Sequence, residues 1–187
     1  MSKVVIFNGS PRKNGYTSKL LEQVVKGAES KGAEVIEFDL NDPGIRGCQG
    51  CYYCRTHDGC AVKDYLQPMY EAINEADAIV FGSPIYFYQI TGQARVWLDR
   101  TFPMIEMNGQ TVKPRHPDKK LITVFAQGSP DPKVGEAGIK FVTDVLVRYG
   151  WKLEDNIHCC GTSYNPDLAM FEELSKRAFK AGENLVG

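Results

Sequence analysis

Three stretches of this sequence carry residue types and spacings suited to chemistry. The first is Asn8-Gly9-Ser10-Pro11-Arg12-Lys13-Asn14-Gly15-Tyr16-Thr17-Ser18, which follows a short apolar run and precedes an amphipathic one. A glycine-containing turn between a buried strand and a helix aims unpaired backbone N–H groups at whatever lies beyond it. The helix dipole adds partial positive charge, so the turn is a candidate anion site. Ser10, Thr17 and Ser18 can donate hydroxyl hydrogen bonds, and Arg12 can offer a charge-assisted one. The stretch is not a Walker A loop, and no GxGxxG occurs in the chain, which disfavours a dinucleotide-binding Rossmann unit. The competing reading is a Ser/Thr cap among ordinary turn residues. The second stretch is Ser83-Pro84-Ile85-Tyr86-Phe87-Tyr88, where consecutive aromatics cannot all face inward. They are placed to wall or stack on a planar ring.

The third stretch is Cys48-x2-Cys51-x2-Cys54-x5-Cys60. Its C-x2-C-x2-C core has the close spacing of ferredoxin-type cluster loops, whereas zinc favours two CxxC pairs with a longer gap. Gly47, Gly50 and Gly59 make the loop flexible enough to wrap a cluster or to collapse without one. Three readings stay open: a [4Fe–4S] cluster, zinc, and thiols that stay reduced or form disulfides. The vicinal Cys159 and Cys160 read as buried small hydrophobes. His57, His116 and His158 are scattered and read as surface or packing residues.

These stretches must be positioned by the elements around them. The chain has 187 residues, 43% hydrophobic and 24% charged, an ordinary globular composition. We expect one domain over residues 1–187. The net charge of −1 without a basic run excludes a nucleic-acid footprint, and no apolar stretch approaches a membrane span. The opening residues are too short for a signal-peptide core, so the expected compartment is the cytoplasm, where six cysteines are unlikely to be structural disulfides. Asn8-Gly9-Ser10 is then a chance glycosylation sequon. Apolar β-type runs at 4–7, 34–38, 78–82, 120–126 and within 151–160 alternate with helical patterns at 17–31, 64–75, 92–102, 136–149 and 166–185. Five such units predict an α/β fold: a doubly wound, flavodoxin-like, five-stranded parallel sheet with helices on both faces. Residues 40–63 and 107–119 read as long loops, which are more often functional or interfacial than idle.

Ser10-Pro11-Arg12-x-Asn14-Gly15-x-Thr17-Ser18, together with Ser83-Pro84-Ile85-Tyr86 and Gly92-Gln93-x4-Leu98-Asp99-Arg100, resembles the NAD(P)H-dependent FMN reductase family of flavodoxin-like proteins. The resemblance spans most of the chain, and it implies an FMN cofactor. It assigns the FMN phosphate to Ser10, Arg12, Asn14, Thr17 and Ser18. It assigns the isoalloxazine to Pro84, Ile85, Tyr86 and Phe87, and a third flavin contact to Gln127 and Gly128. Asp99 and Arg100 match a helix position of the family and are expected in a structural ion pair. The cysteine run resembles the iron–sulfur flavoprotein branch, which assigns a [4Fe–4S] cluster to Cys48, Cys51, Cys54 and Cys60. Relatives with similar cysteine spacing need not hold one. The implied activity is hydride transfer from NADH or NADPH to the flavin and then to a small-molecule electron acceptor, the cofactor carrying the chemistry with no obligatory catalytic side chain. The implied partners are a ferredoxin-like redox protein and further copies of the chain in a homodimer or tetramer. Two other readings are an electron carrier without turnover, against which the weak net charge argues, and a thiol redox sensor.

Overall fold

The computed structural model describes residues 1–163 and 167–186. The chain opens with strand β1 (Lys3–Asn8), helix α1 (Tyr16–Ser30) and strand β2 (Glu34–Asp39). Helix α2 (Met69–Glu75), strand β3 (Ala78–Tyr86), the short strand β4 (Gln89–Ile90) and helix α3 (Gly92–Arg100) follow. Strands β5 (Ile105–Asn108) and β6 (Thr111–Pro114) form a hairpin. Strand β7 (Lys120–Ala126), helix α4 (Lys133–Val147), strand β8 (Lys152–Cys159) and helix α5 (Leu168–Leu185) complete the described chain. Pro166, expected in the first turn of the last helix, lies outside the described residues.

The main sheet runs β2-β1-β3-β7-β8 with every neighbouring pair parallel. This is the flavodoxin-like strand order, as expected from five alternating units. The apolar strands read as continuous runs because both faces of the sheet are covered. In β1, Val5 and Phe7 join the core beneath α2, α3 and α4, while Val4 and Ile6 join the core beneath α1 and α5. On the first face Trp97 stacks on Phe81, with ring centroids 4.7 Å apart. On the second face α1 and α5 cross closely. A Cβ at Gly27 would run into the Phe179 carbonyl, and one at Gly182 into that of Val24.

Four expectations need correction. The helix expected over residues 64–75 begins at Met69, because Pro68 brings no N–H and Asp64 is engaged elsewhere. The expected loop at 107–119 contains the second strand of the β5–β6 hairpin, with Gly109 (φ 62°) at the first position of its two-residue turn, where a glycine suits the twist of the strands. Strand β3 does not stop at residue 82. It continues through Pro84 to Tyr86 and turns back into β4, so the aromatic segment is a hairpin. Asp99 and Arg100 do pair with charges, but not with each other: Asp99 meets Arg95 on the helix surface, and Arg100 turns inward to Asp64.

That inward pair clamps the cysteine loop. Arg100 is 1% exposed. Its Nη1 donates to Asp64 Oδ2 and to the Arg46 carbonyl, both at 2.6 Å, and its Nη2 donates to Asp64 Oδ1 at 3.1 Å. The Tyr70 hydroxyl donates to the Arg100 carbonyl at 2.9 Å. The Arg46 N–H donates to Asp64 as well. Burial opposes ionisation of Asp64, but these donors outweigh it and hold the carboxyl below its usual range. Burial likewise opposes the charge on Arg100, yet Asp64 and Tyr70 leave its affinity for the proton raised. Because the folded state depresses the Asp64 pKa, its contribution to stability is full above about pH 4, the unfolded carboxyl value, and is lost as pH falls through the lower folded value. Asp64→Asn leaves a buried guanidinium without its counter-charge, and we expect it to lower unfolding free energy by about 3–5 kcal/mol in urea titration at neutral pH.

Candidate functional site

The carboxyl ends of β1, β3, β7 and β8 open onto a cleft of about 970 Å3. Ligands in open parallel sheets bind beyond these ends. Ser10, Arg12, Asn14 and Thr17 line the cleft from the turn after β1, and Pro84, Ile85, Tyr86 and Phe87 line it from the β3–β4 hairpin. Gly128 joins from the segment after β7. Nine of the eleven expected cofactor residues therefore share one cavity wall.

Ser18 and Gln127 are the two that do not line it. The Ser18 hydroxyl donates to the Arg12 carbonyl at 2.9 Å. That carbonyl also receives the Ser10 hydroxyl and the Gly15 N–H, so Ser18 shapes the turn rather than facing its contents. Gln127 is 3% exposed. Its Nε2 donates to the Ser129 and Asp131 carbonyls at 3.1 and 2.6 Å. With both amide hydrogens committed to carbonyls, Oε1 must be the acceptor, so His158 Nε2 donates to it at 3.1 Å. The Gln127 backbone bonds Cys159 and Thr162. Gln127 thus ties the exits of β7 and β8 together beneath the cleft.

Lys13, Gly15, Tyr16, Ala126, Thr162 and Ser163 also line the cleft and were missed. Thr162 and Ser163 follow the fifth parallel strand, and the same rule that points to the ends of β1 and β3 points to them.

The amino end of α1 is open. Its cap residue Gly15 offers no side chain, and no side-chain acceptor caps the helix. Thr17 is 1% exposed, and its Oγ1 has no hydrogen-bond partner among the described residues. A buried hydroxyl left unpartnered is unfavourable in the protein alone. Placed in the first turn of a 15-residue helix, it is suited to an anion that supplies the missing acceptor.

The hairpin rim is strained. Phe87 (φ 48°) and Tyr88 (φ 70°) both adopt the left-handed region, which non-glycine residues visit rarely. Phe87 is 94% exposed, so burial does not compensate it. Asn-Gly is the pair this two-residue turn favours.

The cysteines are not gathered. Cys48 and Cys51 are exposed and Cys54 and Cys60 half-buried. Among the described residues no three His, Cys, Asp or Glu side chains are grouped to hold a metal ion. The four remain neighbours: burial first, then the proximity of Cys60, Cys48 and Cys51, raises the Cys54 pKa. Arg115, just beyond β6, donates to the Cys54 carbonyl at 3.3 Å, so the two long loops expected from sequence meet. At the end of β8, burial pushes Cys159 up to about 11 and raises Cys160 as well.

Residues 2–128 match the family of NADPH-dependent FMN reductases. The chain belongs to that family. An iron–sulfur flavoprotein of Archaeoglobus fulgidus is 34% identical over 101 residues, 54% of this chain and 46% of that one. One from Methanosarcina thermophila is 24% identical over 95% of this chain and 92% of its own. The chain spans about half the length of most of the iron–sulfur flavoproteins it matches. Among solved structures, an NAD(P)H:quinone oxidoreductase from Methanothermobacter marburgensis superposes with a TM-score of 0.80 at 21% identity, covering 98% of both chains. An FMN-dependent NADH-azoreductase from Bacillus anthracis, solved with FMN, does so at 0.75 and 12% identity over the full length of both. Both share this fold.

The cleft thus brings together an orphan hydroxyl, an uncapped helix end and an aromatic hairpin. Replacing Phe87-Tyr88 by Asn-Gly is expected to raise unfolding free energy by about 1–3 kcal/mol, read as an upward shift of the thermal midpoint.

Proposed function

We propose that this chain binds FMN in the cleft and works as an NAD(P)H-dependent oxidoreductase that passes electrons to a small acceptor of the quinone or azo class. The observation that carries the proposal is the buried, unpartnered Thr17 hydroxyl at the open amino end of α1, inside the cleft. Thr17, the first N–H groups of α1, Asn14 and the Arg12 guanidinium would hold the phosphate dianion, and Ser10, which lines the cleft, would join them by turning its hydroxyl from the Arg12 carbonyl. Pro84, Ile85, Tyr86 and Phe87 would flank the ring, and Gly128 would close its far side. Bound there, the flavin supplies two-electron transfer from a reduced nicotinamide to the acceptor. The protein then needs only to orient ring and substrates and to limit water. Tyr86, 46% exposed at the rim, stands where it would bound access to the ring.

The relatives' names motivate a [4Fe–4S] cluster as a second cofactor. Holding it requires Cys48, Cys51, Cys54 and Cys60 to close around one centre, an arrangement the loop does not adopt here. Exposed Cys48 and Cys51 favour a second reading of the loop as redox-responsive thiols. A ferredoxin-like partner and a homo-oligomer belong to the same proposal, with the exposed Phe87 and Tyr88 as the surface a second copy would cover. We keep the whole of residues 1–187 as one domain and the cytoplasm as its compartment.

Thr17→Val and Arg12→Ala are each expected to weaken FMN retention about tenfold or more, as loss of a hydrogen bond to a charged group does, measured by flavin fluorescence quenching. Unchanged affinity in both variants would remove the phosphate assignment. Steady-state NAD(P)H oxidation with added quinone tests turnover, and its absence in flavin-loaded protein would leave the carrier reading. Anaerobic purification followed by iron assay tests the cluster, which requires about four irons per chain.

A further inference from the structure

A second hollow, of about 460 Å3, lies between α4 and the outer edge strand β8. It is separate from the flavin cleft. Ala126 and Gly128 line the cleft, whereas Pro132 and Lys133, at the far end of the same segment, line the hollow.

Two of its lining residues carry an unanswered polar atom just beneath the surface. Thr143 is 8% exposed, and its Oγ1 has no hydrogen-bond partner among the described residues. A helical threonine ordinarily returns its hydroxyl to the carbonyl three or four residues back. Thr143 does not. Across from it on β8, the Asn156 Oδ1 is buried and equally unpartnered. Buried polar atoms are almost always satisfied in folded proteins. Two orphans on residues that line one cavity therefore point to a ligand.

The surroundings restrict what that ligand is. Ile139 and Pro132 supply apolar wall. The charged rim balances: Lys133 and Lys140 face Glu136 and Asp144, and Lys140 is already paired with Asp144 at 2.7 Å. His158 is driven toward its neutral form by burial. A site of balanced charge does not select an ion. Asn156 Oδ1 is an acceptor in need of a donor, and a threonine hydroxyl can accept as well. The volume falls within the range of small-molecule pockets.

We propose that this hollow is a second binding site, taking a small neutral molecule that carries hydroxyl or amino hydrogen-bond donors. Its donors would meet Asn156 Oδ1 and Thr143 Oγ1 after a small side-chain adjustment, and its carbon skeleton would cover Ile139 and Pro132. His158 lines the hollow and also donates to Gln127, so an occupant touches the histidine bonded to the residue that ties the β7 and β8 exits beneath the cleft.

The test is a titration of the full chain, with FMN in excess, by resorcinol, followed by amide chemical shifts. Saturable shifts at Thr143, Asn156 and His158 are expected. Thr143→Val should weaken binding about three- to tenfold while its thermal midpoint holds or rises, since an unpartnered hydroxyl has been removed. Asn156→Leu should weaken it in the same way and serves if the first variant is poorly folded. Absence of saturable shifts up to about 10 mM, a free energy near −2.7 kcal/mol, would overturn the proposal. So would shifts confined to residues 10–17 and 84–87, or an affinity unchanged in both variants.

Discussion

The buried guanidinium of Arg100 ties together segments of this structure that are far apart in sequence. It reaches from the last turn of α3 to both ends of the cysteine loop, taking the Arg46 carbonyl at one end and Asp64 at the other. Fifteen or more residues can then leave the body of the protein and return without loosening the sheet beneath them. The same side chain touches Tyr70, so α2 is held in the same set of contacts. A buried pair of this kind is a weak source of net stability but a strong constraint on geometry, because any alternative leaves a charge stranded. Helix α3 also carries Trp97 onto Phe7 and Phe81, so the cysteine loop is anchored to the core of the sheet.

A second constraint comes from the parallel strands. Their carboxyl ends must all face one side, which brings turns distant in sequence together. The Gly9 N–H donates to the Gly82 carbonyl at 2.7 Å, and the Thr91 hydroxyl donates to the Gly9 carbonyl at 2.8 Å. The turn after β1 and the aromatic hairpin are therefore tied together at the carboxyl ends of the strands. Strain at Phe87 and Tyr88 sits at the outer margin of the hairpin, where the turn holds aromatic surface outward that an Asn-Gly turn would lack.

The fold was legible because burial on both faces leaves a plain mark: apolar strands without alternation, separated by helices with one apolar face. The cleft was legible for the residues whose backbone position places them, since a turn after β1 or β3 must border it. Ser18 and Gln127 were not, because sequence reveals a hydrogen-bonding group but not which partner it has already taken. Arg12 offers Ser18 a carbonyl six residues away, and Gln127 finds the carbonyls of its own segment and a histidine on the next strand. The β5–β6 hairpin could have been read from Gly109-Gln110, a glycine-first turn pair that a stretch of polar residues obscured. The pairing of Arg100 with Asp64 rather than Asp99 spans 36 positions, and no local pattern announces it.

The glycine crossing of α1 and α5 has a consequence for how the protein is made. Helix α1 presents an uncapped amino end to the cleft, yet its seat against the sheet is shared with a helix near the other end of the described chain. During synthesis the first strand and first helix emerge well before the partner that presses α1 into place, which follows all five parallel strands. A nascent chain that has not yet reached α5 would leave the small-residue face of α1 around Val24 and Gly27 uncovered.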